Sequence, residues 1–164
     1  MQTQASGAVA APAQPTVAAA AMEPSAATIG SLRLLGALAT CWYSVNMAAF
    51  VLVSVAPIEA VRQRYTPEQL EYLASLPVWS LMISGLSIGF GLVASIAFYF
   101  RKAEAYPAYM LSLLLAIGHL FDTVTRGGIG TMNIGDAAST VMILFFTLFL
   151  FWASYDAKNH NQLS

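Results

Sequence analysis

The chain has 164 residues, 58% of them hydrophobic and 9% charged, with a formal net charge of −1. A soluble domain carries about 25% charged residues, so the charge here is too sparse to cover a water-facing surface, and the composition is that of an integral membrane protein. Near-neutrality excludes a strong field for nucleic acid or acidic partners, the length excludes a second folded domain of ordinary size, and the single cysteine, Cys41, excludes an internal disulfide.

Residues 1–28 are dominated by alanine, proline, glutamine and serine and contain no lysine or arginine. A secretory signal opens with basic residues, and this segment does not. Pro12, Pro15 and Pro24 interrupt any helix the alanines could form, and large side chains to bury are nearly absent. The expectation is a disordered tail.

Four apolar stretches follow, each long enough, or nearly so, to supply the roughly 20 residues that cross a bilayer core. The first is Ile29–Ala56, which carries Thr40, Tyr43 and Asn46 at mid-depth. An amide in hydrocarbon needs a hydrogen-bond partner, so Asn46 reads as a clamp to another helix, with a substrate contact as the alternative. Cys41 reads as a small apolar residue within the run.

Residues 64–79, RYTPEQLEYLASLPVW, form the most organised segment between spans. Thr66 is an N-cap candidate, Pro67 suits the first helical position, and Gln69 stands where it can close a capping box. Leu70, Leu73 and Ala74 give one apolar side. The segment predicts a short amphipathic helix on the outer surface, read as a connector over the end of the bundle, with a lid or partner contact as the functional alternative.

The second span is Val78–Phe100. Ser80, Ser84, Ser87, Gly91 and Ser95 recur every three or four residues and so share a helix face, and Gly85 and Gly89 form a small-xxx-small pair beside it. Small residues let backbones approach closely in lipid. The stripe reads as close packing; a polar path for a solute is the alternative.

The third span is Pro107–Thr125 and ends in the stretch GHLFDTVTRGG, residues 118–128. His119, Asp122 and Arg126 stand at spacings of three and four and line one face, so Asp122 can pair with Arg126 one turn on and can also accept a bond from His119. The fourth span, Ile134–Tyr155, begins a short loop later with Asp136 and carries Thr140 and Thr147 on one side. The four ionisable groups are expected to converge at the outer end of spans three and four. Intramembrane ionisable groups are functional candidates by default; near the interface, Asp122 and Arg126 read as a structural anchor, and His119, about one turn deeper, as the candidate for more. Residues 156–164 form a polar C-terminal tail.

Aromatic residues mark the ends of the spans, among them Trp79, Tyr99, Tyr106, Tyr109, Trp152 and Tyr155, as expected at the headgroup level. The adjacent Arg101–Lys102 pair in a very short loop sets the orientation by the positive-inside rule. Both termini are expected in the cytoplasm.

The outer segment 64–79, followed by a span closed by Arg101–Lys102, resembles a group of small uncharacterised bacterial inner-membrane proteins with four predicted spans. These carry a Tyr-Thr-x-x-Gln-like outer helix, then Pro-x-Trp, then a span closed by Arg-Lys, and are often labelled sugar transporters. The resemblance covers roughly residues 60–155 and is best over 64–102. It implies the four-span fold and the inner membrane, and little about activity, because the label rests on no catalytic or binding motif. The alanine-rich tail and the His119–Asp122–Arg126 cluster lie outside what the group shares.

Other chemistries lack their residues. There is no second intramembrane histidine to complete an axial pair on a haem, since His160 lies in the polar tail, and no Cys/His spacing suits zinc. RGGIG, residues 126–130, follows no strand and is not a dinucleotide turn. The expectation is an all-α integral membrane bundle of four transmembrane helices with a short outer amphipathic helix, and with no cofactor, metal or enzymatic activity. Its expected partners are the lipid bilayer and copies of itself or a larger membrane complex. Two function classes remain: a binding or accessory subunit, and a small-solute transporter, possible for four helices only as an oligomer because alternating access commonly uses two repeats around a midplane site.

Overall fold

The computed structural model describes residues 26–55, 65–131 and 134–163. The tail expected over residues 1–28 lies outside them apart from its last three positions, which are helical. In chain order the helices are α1 (Ala26–Val55), α2 (Pro67–Ser75), α3 (Val78–Tyr99), α4 (Ala105–Thr125), α5 (Gly128–Thr131) and α6 (Ile134–Asn159). Four of them, α1, α3, α4 and α6, are long and apolar enough to cross a membrane. A spanning segment must satisfy its backbone N–H and C=O groups internally, which a helix does. The protein is an all-helical, multi-pass membrane bundle.

The helix bounds differ from the expected spans by more than one residue at three ends. α1 starts at Ala26 rather than Ile29. α4 starts at Ala105 and takes Pro107 into its first turn, where a missing N–H costs nothing because those donors have no partner within the helix. α6 continues past Tyr155 to Asn159, so part of the polar tail is helical.

α3 and α4 form the closest pair, an antiparallel hairpin; α1 packs on α3, and α6 on α4. Glycines permit the approach of α1 to α3. A Cβ at Gly36 would lie 2.8 Å from the backbone of Tyr99, one at Gly85 2.9 Å from the Phe50 ring, and one at Gly91 would overlap the Tyr43 ring. The Gly85/Gly89 face therefore meets α1 of the same chain. Gly89 is the looser of the two, 3.6 Å from the Met47 methyl. α1 and α6 meet through side chains, with the rings of Trp42 and Phe146 edge to face at 5.5 Å.

The core sits toward one end of the bundle. Ala94, Phe98, Ala105, Tyr109 and Leu150 are fully buried there, with Ala157 beside them. The outward faces of the four long helices carry exposed apolar residues such as Leu52, Met82, Leu114 and Phe145, which suit lipid.

Two helix ends at that packed end are tied together. α3 closes with Arg101 in the left-handed region (φ 60°), its N–H donating to the Phe98 carbonyl at 2.9 Å while Lys102 N–H reaches the Ala97 carbonyl at 2.8 Å. α6 closes the same way, with Asn161 at φ 53° and Gln162 N–H on the Ala157 carbonyl at 2.9 Å. Both are Schellman motifs, usually built on glycine. Arg101 Nε donates to the Gln162 carbonyl at 2.8 Å, joining one cap to the other.

At the opposite end, α2 has the expected start. Thr66 Oγ1 accepts from Gln69 N–H at 3.3 Å, and Gln69 Oε1 accepts from Thr66 N–H at 2.9 Å, with Pro67 in the first turn. α2 packs on α5, the Tyr72 ring lying against Gly128. The helix thus packs on the short helix that follows α4.

Candidate functional site

The small-residue stripe of α3 faces inward. Ser80, Ser87, Gly91 and Ser95 are buried, and Ser84 is partly so. Three of the serines bond to α4. Ser80 Oγ donates to Asp122 Oδ2 at 2.8 Å. Ser87 Oγ donates to the Ser112 carbonyl at 2.9 Å, and Ser112 Oγ returns a bond to the Ser87 carbonyl at 2.7 Å. Ser95 Oγ lies 2.9 Å from the Tyr109 hydroxyl and also 2.7 Å from the Gly91 carbonyl. A serine hydroxyl has one proton; since the carbonyl can only accept, the Tyr109 hydroxyl is the donor to Ser95. The stripe is a ladder of hydroxyl contacts fastening α3 to α4.

The intramembrane polar residues of α1 divide. Thr40 Oγ1 donates to the Gly36 carbonyl at 2.8 Å, and Asn46 Nδ2 to the Trp42 carbonyl at 2.8 Å, both within their own helix. The clamp expected of Asn46 is not made by it. Its amide finds an acceptor one turn back, which satisfies the group without a second helix. Tyr43 forms the clamp instead: its hydroxyl is 2.8 Å from Thr147 Oγ1 on α6. Thr147 gives its own proton to the Ile143 carbonyl at 2.8 Å, so Tyr43 donates. This bond joins α1 to α6 directly.

The ionisable cluster resolves into two parts. Arg126 Nε pairs with Asp122 Oδ1 at 2.6 Å, and the guanidinium lies over the Trp79 ring, 5.3 Å from its centroid. With Ser80 on Oδ2, Asp122 has both oxygens engaged and is 7% exposed. This pair anchors the outer end of α4 to the start of α3. His119 does not join it. Its Nδ1 is buried with no hydrogen-bond partner, so the bond expected from His119 to Asp122 is absent; Arg126 and Ser80 occupy the carboxylate. Leaving a buried polar atom unpaired costs about 1–3 kcal/mol. The Asp136 side chain lies outside the described residues.

His119 lines a cavity of about 150 Å³ between α3, α4 and α6. Ser84, Ser87 and Ile88 contribute from α3; Ala116, His119, Leu120 and Thr123 from α4; Thr140, Ile143 and Leu144 from α6. The Ser87–Ser112 exchange borders it on the side of the filled core. Thr123 Oγ1 donates to the His119 carbonyl at 2.9 Å, which fixes the turn that carries the imidazole.

This space has hydrogen-bonding groups on apolar walls. Among the described residues, His119 Nδ1 shares no hydrogen bond with a serine hydroxyl. Among the described residues, no three His, Cys, Asp or Glu side chains gather to hold a metal ion. Sequence reasoning missed Ser112 and expected Tyr109 at the headgroup level, whereas Tyr109 is fully buried as a partner of the stripe. Their only signal was a small hydroxyl and a tyrosine within an apolar run.

Comparisons with known proteins add no relative: no family model, curated protein or solved structure matches the chain.

Proposed function

We propose that this integral membrane protein is a non-enzymatic binding or accessory subunit of the bacterial inner membrane, acting with copies of itself or within a larger membrane complex. The observation that carries the reading is that the His119 cavity stops at a filled core. Toward the other end of the bundle Ala94, Phe98, Tyr109 and Leu150 are themselves fully buried, and hydroxyl bonds fasten α3 to α4 and α1 to α6. A one-sided cavity in a fastened bundle suits holding something better than passing it through. The short Arg101–Lys102 loop supports cytoplasmic termini, and the resemblance over residues 64–102 supports the inner membrane.

The second reading is a small-solute transporter acting as an oligomer. The unpartnered His119 Nδ1 beside the cavity favours it, as does the sugar-transporter label carried by the resembling group. Purified protein in liposomes decides between the two readings. His119→Gln keeps hydrogen bonding and has no titratable ring. The binding-subunit reading expects no gradient-driven uptake by either form and the same cross-linked species in native membranes. Uptake by the natural protein that His119→Gln abolishes would replace it with the transporter reading.

A further inference from the structure

We infer that the His119 cavity is a binding site for a small, uncharged, polyhydroxylated molecule of about six non-hydrogen atoms. The inference deepens the binding reading above and rests on it.

Size sets the first limit. A volume of about 150 Å³ is that of a cavity able to take a benzene ring, a molecule of about six non-hydrogen atoms, which suits a three-carbon triol and is tight for a hexose. Charge sets the second. None of the described side chains lining the space is Asp, Glu, Lys or Arg. The neighbouring Asp122 is turned away, with one oxygen on Arg126 and the other on Ser80. An ion entering here would lose its hydration among Ile88, Leu120, Ile143 and Leu144 without a described counter-charge.

Hydrogen bonding sets the third limit. The His119 Nδ1 is a buried polar atom with no partner in the protein, and Ser84 and Thr140 bring hydroxyls to the same space from α3 and α6. Neutral imidazole presents Nδ1 as donor or as acceptor depending on the tautomer. An alcohol serves either case, because each hydroxyl both donates and accepts. Several hydroxyls on a short carbon chain match polar groups on three helices, and the carbon atoms match the apolar walls. The Ser87–Ser112 exchange fixes the depth of the site, since both hydroxyls are already committed between α3 and α4.

The test uses the full chain, with ¹⁵N-labelled histidine, in phosphatidylcholine nanodiscs titrated with glycerol. His160, exposed and outside the spans, is the internal control. The expected result is a saturable change in the His119 side-chain resonance, none at His160, and none at His119 with glucose. The cation 2-amino-1,3-propanediol and the anion glycerate, both close to glycerol in size, should also leave His119 unchanged. Ala116→Leu, which fills the cavity, should weaken the response at least tenfold; if that variant does not assemble, Ser84→Leu fills it from α3. A glycerol headgroup is the other source of the same chemistry. A His119 change on moving to phosphatidylglycerol discs without added glycerol would identify lipid as that source.

A change that never saturates, one shared with His160, one that survives cavity filling, or an equal response to glucose or to the charged probes would overturn the proposal. The underlying reading fails differently. Liposomes in which the protein moves glycerol down its gradient would keep the site and replace the binding subunit by a transporter.

Discussion

Ser87 and Ser112 exchange hydrogen bonds, each hydroxyl donating to the other residue's backbone carbonyl across the α3–α4 contact, at 2.9 and 2.7 Å. The pair is buried on both sides and lies between the cavity and the filled core. Interhelical bonds of this kind in membrane proteins average about 0.6 kcal/mol each. Ser112→Ala should lower stability by about that amount, and Ser87→Ala with Ser112→Ala by about 1 kcal/mol. Unfolding in a detergent titration against sodium dodecyl sulfate measures both. A double variant as stable as the natural chain would mean that packing alone holds this contact.

The Asp122–Arg126 anchor should respond differently, because removing one partner strands the others. Asp122→Ala leaves Ser80 and Arg126 without their acceptor. The loss should be about 2 kcal/mol, below the roughly 3–5 kcal/mol of a fully buried pair, because the Arg126 side chain is 39% exposed and solvent screens it. Adding Arg126→Ala should recover part of it. Membrane abundance and the unfolding midpoint report the effect, and a double variant worse than the single would contradict an anchor.

Glycine substitutions should sort by what each Cβ meets. Gly36→Ala places a methyl against the Tyr99 backbone, which cannot rotate away, and should cost about 1–3 kcal/mol of overpacking. Gly118→Ala, with nothing within 4 Å, should be neutral. Gly89→Ala should also be tolerated, since its neighbour is a Met47 methyl at ordinary contact distance. Helix propensity favours Ala over Gly at both positions, so equal losses at Gly36 and Gly118 would contradict a cost specific to the α1–α3 approach.

Orientation has its own test. In a Cys41→Ser background, a cysteine at Glu71 on α2 should react with an impermeant thiol reagent outside intact cells, and one at Glu104 should not. Both positions are exposed. Gly128 is unsuitable as a reporter because it lies under the Tyr72 ring. Labelling at Glu104 alone would invert the topology.

The legible part of this molecule was the part written in local spacing. Apolar run length located the four spans, the Thr66–Gln69 spacing located the start of α2, and the four-residue step from Asp122 to Arg126 located the ion pair. The inward direction of the Ser80–Ser95 stripe followed from helical period. What stayed hidden depends on register between helices. Nothing in one helix tells Tyr43 that Thr147 will stand opposite, or that Asn46 will be satisfied one turn back. The isolation of His119 was hidden for the same reason.

The wall that α6 contributes has a consequence for biogenesis. During membrane insertion the α3–α4 hairpin can form as soon as its two helices are synthesised, because its contacts are local in sequence. Thr140, Ile143 and Leu144 arrive later. Until α6 docks, the imidazole and the Ser84 hydroxyl lack the third wall of their cavity, and the Tyr43 hydroxyl lacks its threonine. A chain stopped before Ile134 would keep the hairpin and its hydroxyl ladder but would enclose nothing. Ligand competence therefore reports completion of the bundle, separating finished molecules from stalled ones that helix content alone would count as folded.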